Sequence, residues 1–84
     1  MTRHKLTQHA QSAIAERKID MAWIERVLEN PISTEIDKTD RDLRHALGRI
    51  SEHGDRILRV IYNDETTPRL IVTADFDRTM RNKL

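Results

Sequence analysis

The chain has no cysteine, two glycines, two prolines and three aromatic residues, and each scarcity removes a class of protein. Without cysteine there is neither a disulfide framework nor a thiolate metal site. With Gly48 and Gly54 as the only glycines, neither a phosphate-cradling P-loop nor a dinucleotide fingerprint can be built. Ser33 and Ser51 fall in loop or strand-edge positions with no elbow around them, which argues against a hydrolase triad. Trp23, Tyr62 and Phe76 are too few for a platform that stacks a single strand. No apolar run approaches the roughly 20 residues that span a bilayer, and no signal-peptide core follows Met1, so a cytoplasmic, membrane-free chain is expected. No pair of histidines at helical spacing and no acid-rich loop has metal-ligand geometry, so neither metal nor cofactor is expected.

What is present is a lean but patterned sequence. The 84 residues are 37% hydrophobic and 35% charged, and their apolar positions are clustered and periodic, as a disordered chain's are not. Length predicts a single domain over 1–84, burying roughly 60–65% of its unfolded surface. The formal net charge is +1, so no strong global attraction to nucleic acid exists. The distribution says more. Eleven of the fifteen cations are arginine, the side chain suited to bidentate phosphate contacts. Arg3, His4, Lys5 and His9 precede the first acid, Glu16, and Arg78, Arg81 and Lys83 follow the last, Asp77. If the ends meet in the fold they form a basic patch; the ordinary alternative is a solvated surface with ragged ends.

Periodicity predicts two helices. Leu6, Ala10, Ala13, Ile14 and Arg17 fall at helical spacing over about Thr7–Arg17, a narrow stripe of small residues that lets another element approach closely. Asp20 is a good N-cap for a second helix carrying Met21, Ile24, Val27 and Leu28 inward, ended by Asn30-Pro31. The remainder reads as antiparallel strands: a weak one over Ser33–Lys38, then Leu43–Ile50, Arg56–Tyr62 and Arg69–Phe76. Gly54 supplies a positive-φ position in the hairpin 51–55. Alternation puts Leu58, Val60 and Tyr62 on one face and Ile57, Arg59 and Ile61 on the other. In the last strand it groups Leu70, Val72, Ala74 and Phe76 against Ile71, Thr73 and Asp75. The wholly apolar faces are expected to receive the helices, leaving Arg59, Thr73 and Asp75 on the opposite face.

Four residues stand out, each beside a plainer role. His9 flanks the Ala10/Ala13 stripe; a histidine titrates near neutral pH and can act as acid or base, and it can equally pack at a helix–sheet boundary. Arg17 lies two turns further, about 12 Å away along the axis, where the pair would flank a phosphodiester rather than touch; its plainer role is a cation favouring the helix dipole. Arg59 sits mid-strand among aliphatic residues, so it is at a rim, snorkelling, or paired with an acid such as Asp75. Thr73 by default simply suits a strand. His4, His45 and His53 are placed in a tail, a strand and a turn.

The order of several short segments resembles a known family. His9-Ala10, Arg17-Lys18-Ile19, Trp23-Ile24-Glu25-Arg26-Val27-Leu28 and Asn30-Pro31 look like the opening of the bacterial domain of unknown function numbered four-two-five-eight. Gly48-Arg49-Ile50, Arg56-Ile57-Leu58-Arg59-Val60-Ile61-Tyr62-Asn63, Thr67-Pro68 and Val72-Thr73-Ala74-Asp75-Phe76-Asp77-Arg78 continue the pattern. Lys18 departs from it, since members often carry glycine there. The family is similar to the RelE/ParE-like and BrnT-like toxins, within the barnase, EndoU, colicin and RelE ribonuclease-like grouping. The resemblance therefore implies an α+β fold, with N-terminal helices on a curved antiparallel sheet of three to four strands, and metal-independent RNA cleavage. It implies His9 as acid or base, Arg17 and Arg59 on the phosphate, Thr73 as a hydrogen-bond donor, and Arg78 with Arg81 extending a cationic rim. RNA and an antitoxin protein are the partners implied, in a monomer or homodimer. A non-catalytic module that binds nucleic acid or protein through the same fold is the rival expectation.

Overall fold

The computed structural model describes residues 4–66 and 68–78. Along the chain run β1 (His4–Leu6), α1 (Gln8–Glu16), α2 (Met21–Glu29), β2 (Ser33–Ile36), β3 (Leu43–Ile50), a 3₁₀ turn (Ser51–His53), β4 (Arg56–Asn63) and β5 (Arg69–Asp77). None of the described helices is long and apolar enough to cross a membrane.

The second helix begins behind the expected cap, Asp20, and the first behind Thr7. Thr7 accepts from the Ala10 backbone N–H, and Asp20 accepts from that of Ala22, each satisfying an orphan donor of the first turn. At the end of α1, the N–H of Ile19 reaches the carbonyl of Ile14 at 3.0 Å and that of Lys18 reaches Ala15 at 3.3 Å. This paired closure is the Schellman arrangement, and it needs a left-handed residue, which Lys18 supplies at φ 55°. A turn whose left-handed position favours glycine is thus made here by a lysine.

The strands form one five-stranded sheet in the order β1-β5-β4-β3-β2. The expectation of three to four antiparallel strands is corrected on both counts. His4–Leu6 is a strand, not a tail, and it pairs with β5 in parallel, so the sheet is mixed. Three residues are too few for a period of two to be read, and the partner lies at the far end of the chain.

The helices cover one face. Ala10 and Ile14 of α1, Ile24, Val27 and Leu28 of α2, and Ala46, Ile50, Leu58, Val60, Tyr62, Ile71 and Ala74 of the sheet form the core, with Trp23 and Phe76 packed against it. Ile71 belongs to this face, contrary to its expected grouping with Thr73 and Asp75. The register explains why: Ile61 pairs with Thr73 while Tyr62 pairs with Ile71, so Val72 is an extra residue, and a bulge inverts the alternation beyond it. α2 approaches β3 at Gly48, where a Cβ would lie 2.7 Å from Val27 Cγ2.

Beyond β1 the outer edge of β5 is covered by α1 and its approach. Thr7 N–H donates to the Ile71 carbonyl at 3.0 Å, Thr7 Oγ1 to that of Val72 at 3.1 Å, and Arg17 Nη1 to that of Ala74 at 3.2 Å. The small-residue stripe allows this close approach.

Candidate functional site

The face turned away from the helices carries the chemistry. Register places His45 of β3 opposite Ile61 of β4, Leu47 opposite Arg59, and Thr73 and Asp75 of β5 opposite Ile61 and Arg59. These positions alternate with Leu58, Val60 and Ala74 of the core, so their side chains point to the other face.

On that face four side chains form a continuous chain of hydrogen bonds. Arg59 Nε and Nη2 both donate to Asp77 Oδ2, at 3.1 and 2.6 Å. Arg59 Nη1 lies 2.6 Å from His45 Nδ1, and His45 Nε2 lies 2.6 Å from Asp37 Oδ1. A guanidinium offers only donors, so Nδ1 accepts and Nε2 carries the ring proton to Asp37. The imidazole is therefore neutral in this arrangement. Glu35 of β2 adds a looser ion pair, its Oε1 3.6 Å from Arg59 Nη1. The four linked side chains are between 15% and 18% exposed, enough burial to strengthen these contacts without excluding solvent.

Asp37 is held in place from the loop that follows β2. Its Oδ2 accepts from Thr39 Oγ1 at 2.8 Å and from the backbone N–H groups of Thr39 and Asp40 at 3.1 and 2.9 Å. The His45 hydrogen bond first, and then these donors, hold its carboxyl far below the usual carboxylate range. The acidic loop thus fixes an anion behind an imidazole. Counting Asp37, Glu35 and Asp77 against Arg59, the described members of the cluster carry a net charge of −2.

Of the residues singled out in the sequence, Arg59 and Thr73 share this face, one strand apart. Arg17 reaches the same stretch of β5 from the sheet edge through the Ala74 carbonyl, next to Thr73. Its contact is made with backbone, beyond the dipole role that base rates favour. His9 is exposed on α1, which packs on the other face, and it makes no hydrogen bond or ion pair with the described residues. Arg59 pairs with Asp77 and not with Asp75, although Asp75 is directly across from it. Arg78 is exposed beyond the end of β5. Arg81 lies outside the described residues, as do Arg3 and Lys83 of the basic patch expected from the two ends.

His45 is the residue that sequence reasoning passed over. A signal existed: it has the parity of Leu43 and Leu47 in β3, opposite to buried Ala46, which marks it as a face residue. Its partners, drawn from β2, β4 and the Asp37 loop, follow only from register. Among the described residues no three histidine, aspartate or glutamate side chains converge as metal ligands.

The sequence profile described as "Domain of unknown function (DUF4258)" matches residues 6–75. No curated protein and no solved structure matches the chain.

Proposed function

Starting from a chain that belongs to the family Domain of unknown function (DUF4258), we propose a RelE/BrnT-like toxin-family domain that binds RNA on its helix-free sheet face and cleaves it without a metal. One observation supports this reading: the guanidinium of Arg59 bonded to an imidazole whose other nitrogen is anchored on a carboxylate. In such cleavage the 2′-oxygen bonds to the adjacent phosphorus as its proton leaves, charge grows on the phosphoryl oxygens, and the 5′-oxygen departs with a proton taken from water. A phosphodiester that draws Arg59 Nη1 away from His45 uncovers the lone pair of Nδ1. One displacement then brings a cation onto the phosphate and frees a base to take the 2′-hydroxyl proton. Asp37 steadies the imidazolium that results. Thr73 donates to the phosphate, Arg17 and Arg78 border it, and an antitoxin restrains the domain by covering the same face. His45 replaces His9 as the base in this reading, because it adjoins Arg59.

The test is incubation of RNA with the purified protein and its His45→Ala, Arg59→Ala and His9→Ala forms, reading 2′,3′-cyclic phosphate ends. Cleavage by the parent and by His9→Ala, lost in the other two, is the expected pattern. RNA left intact by the parent under all conditions would falsify the enzymatic claim.

The net −2 of the cluster favours a second reading, a non-catalytic module whose sheet face takes a cationic segment of a partner protein. That reading expects no turnover, and salt-sensitive capture of a lysine- and arginine-rich peptide, weakened by Glu35→Gln.

A further inference from the structure

We propose that the cavity lined by Arg56, Phe76, Asp77 and Arg78 is a nucleotide subsite, taking a base against Phe76 and a phosphate between the two arginines. The cavity measures about 310 Å³, far more than a bare phosphate fills and at the lower end of small-molecule sites.

Its walls suit that ligand. The Phe76 ring is backed by His53 at 4.8 Å between centroids, and His53 in turn by Trp23 at 5.2 Å. Trp23 meets Phe76 edge-on at 6.2 Å. This trio holds Phe76 as a rigid apolar wall, and stacking of a base on such a ring is tolerant of base identity.

Among the described residues the cations are uncommitted. Arg56 and Arg78 are exposed and make no hydrogen bond or ion pair with the described residues. By contrast, the side chains of Arg17, Arg26, Arg44, Arg49, Arg59 and Arg69 all have hydrogen-bond or ion-pair partners. The Asp77 charge is offset by its two bonds from Arg59, so the described lining of the cavity keeps a positive balance suited to a phosphate. The rival anion site, around Arg41 and Arg44, offers no aromatic wall among its described residues.

Asp77 lies between this cavity and Arg59. The proposal rests on the RNA-binding reading and deepens it: the subsite holds a nucleotide beside the phosphate that Arg59 meets. Its residues are distinct from His45, so the two ideas fail separately.

The experiment is a titration of ¹⁵N-labelled protein with adenosine 5′-monophosphate, uridine 5′-monophosphate, adenosine and inorganic phosphate, with Trp23 fluorescence as a second readout. Either mononucleotide is expected to saturate, to move the backbone signals of Arg56, Phe76 and Arg78, and to alter the single tryptophan's emission. Arg56→Ala and Arg78→Ala are each expected to weaken binding at least fivefold with the near-ultraviolet dichroism of the aromatic trio unchanged. His45→Ala is expected to bind mononucleotide as the parent does. The subsite is refuted by absence of saturation, by phosphate binding as tightly as the mononucleotides, by signals moving at Arg41 and Arg44 instead, or by an oligoglutamate peptide moving the same signals where mononucleotides do not. Saturable binding without RNA cleavage sinks the enzymatic reading and leaves the subsite standing; cleavage without mononucleotide binding does the reverse.

Discussion

Arg59 and His45, on neighbouring strands, meet at 2.6 Å with the guanidinium as donor and Nδ1 as acceptor. The contact ties a cation to the neutral form of an imidazole. Adding a second ring proton would set two donors against each other. The pair is thus coupled: whatever engages Arg59 changes what His45 can do.

That coupling is measurable as stability. Arg59→Met removes the only arginine or lysine among the described residues of the cluster and leaves three carboxylates facing one another, which is expected to cost about 1–3 kcal/mol. Asp77→Asn in the same background should recover part of the loss. Urea unfolding of the two single variants and the double variant gives the coupling energy. Strictly additive losses would show that the ion pair contributes nothing.

Gly48→Ala is expected to destabilise by about 1–3 kcal/mol, because the new methyl meets Val27 Cγ2 and α2 must lift from β3. Val27→Ala in the same chain should relieve the clash and restore part of the loss. A thermal melt of each form checks both signs.

Lys18→Gly works in the opposite direction. Lys18 holds a left-handed conformation at φ 55°, where a side chain is disfavoured and glycine is not. The gain, less the extra freedom glycine has when unfolded, is about 0.5–1 kcal/mol. For a chain of this size the melting temperature should rise by roughly 2–8 °C.

Acid should weaken the fold through two carboxylates. Bidentate pairing with Arg26 lowers the Glu52 carboxyl to about 2, and Asp37 is held lower still, chiefly by His45. Both folded values lie below the ordinary ones, so their contribution is complete above the ordinary carboxylate range. It is lost as pH falls through that range toward 2 and below. Glu52→Gln should flatten the decline between pH 4.5, the ordinary value, and pH 2 in a urea-midpoint series. An unchanged slope would assign the acid sensitivity elsewhere.

Much of this was legible from residue order, and the omissions have identifiable causes. Asp20, the Ala10/Ala13/Ile14 stripe and the alternation of Leu58, Val60 and Tyr62 each state a local preference that the fold obeys. β3 runs over Leu43–Ile50 as alternation and turn signals require. Gly54 takes its positive φ of 68°. β1 was hidden because its stability comes from a partner more than sixty residues away. Ile71 was misplaced because one inserted residue, Val72, reverses the parity of everything before it. The site was half legible. That Arg59 and Thr73 share a face follows from a period of two. That Asp77, not Asp75, answers Arg59, and that His45 completes the chain to Asp37, depends on how four strands are staggered, which no local pattern encodes.

The covering of β5 by Thr7 and Arg17 bears on how this molecule behaves when concentrated. With those carbonyls occupied, a guest chain on that flank finds, among the described residues, the three of β1 to copy, and on the opposite flank the four of β2. Neither offers a template long enough to seed growth by strand addition. A mixed sheet so closely trimmed at its sides can keep an apolar segment such as Leu58–Tyr62 in its centre without inviting fibrils.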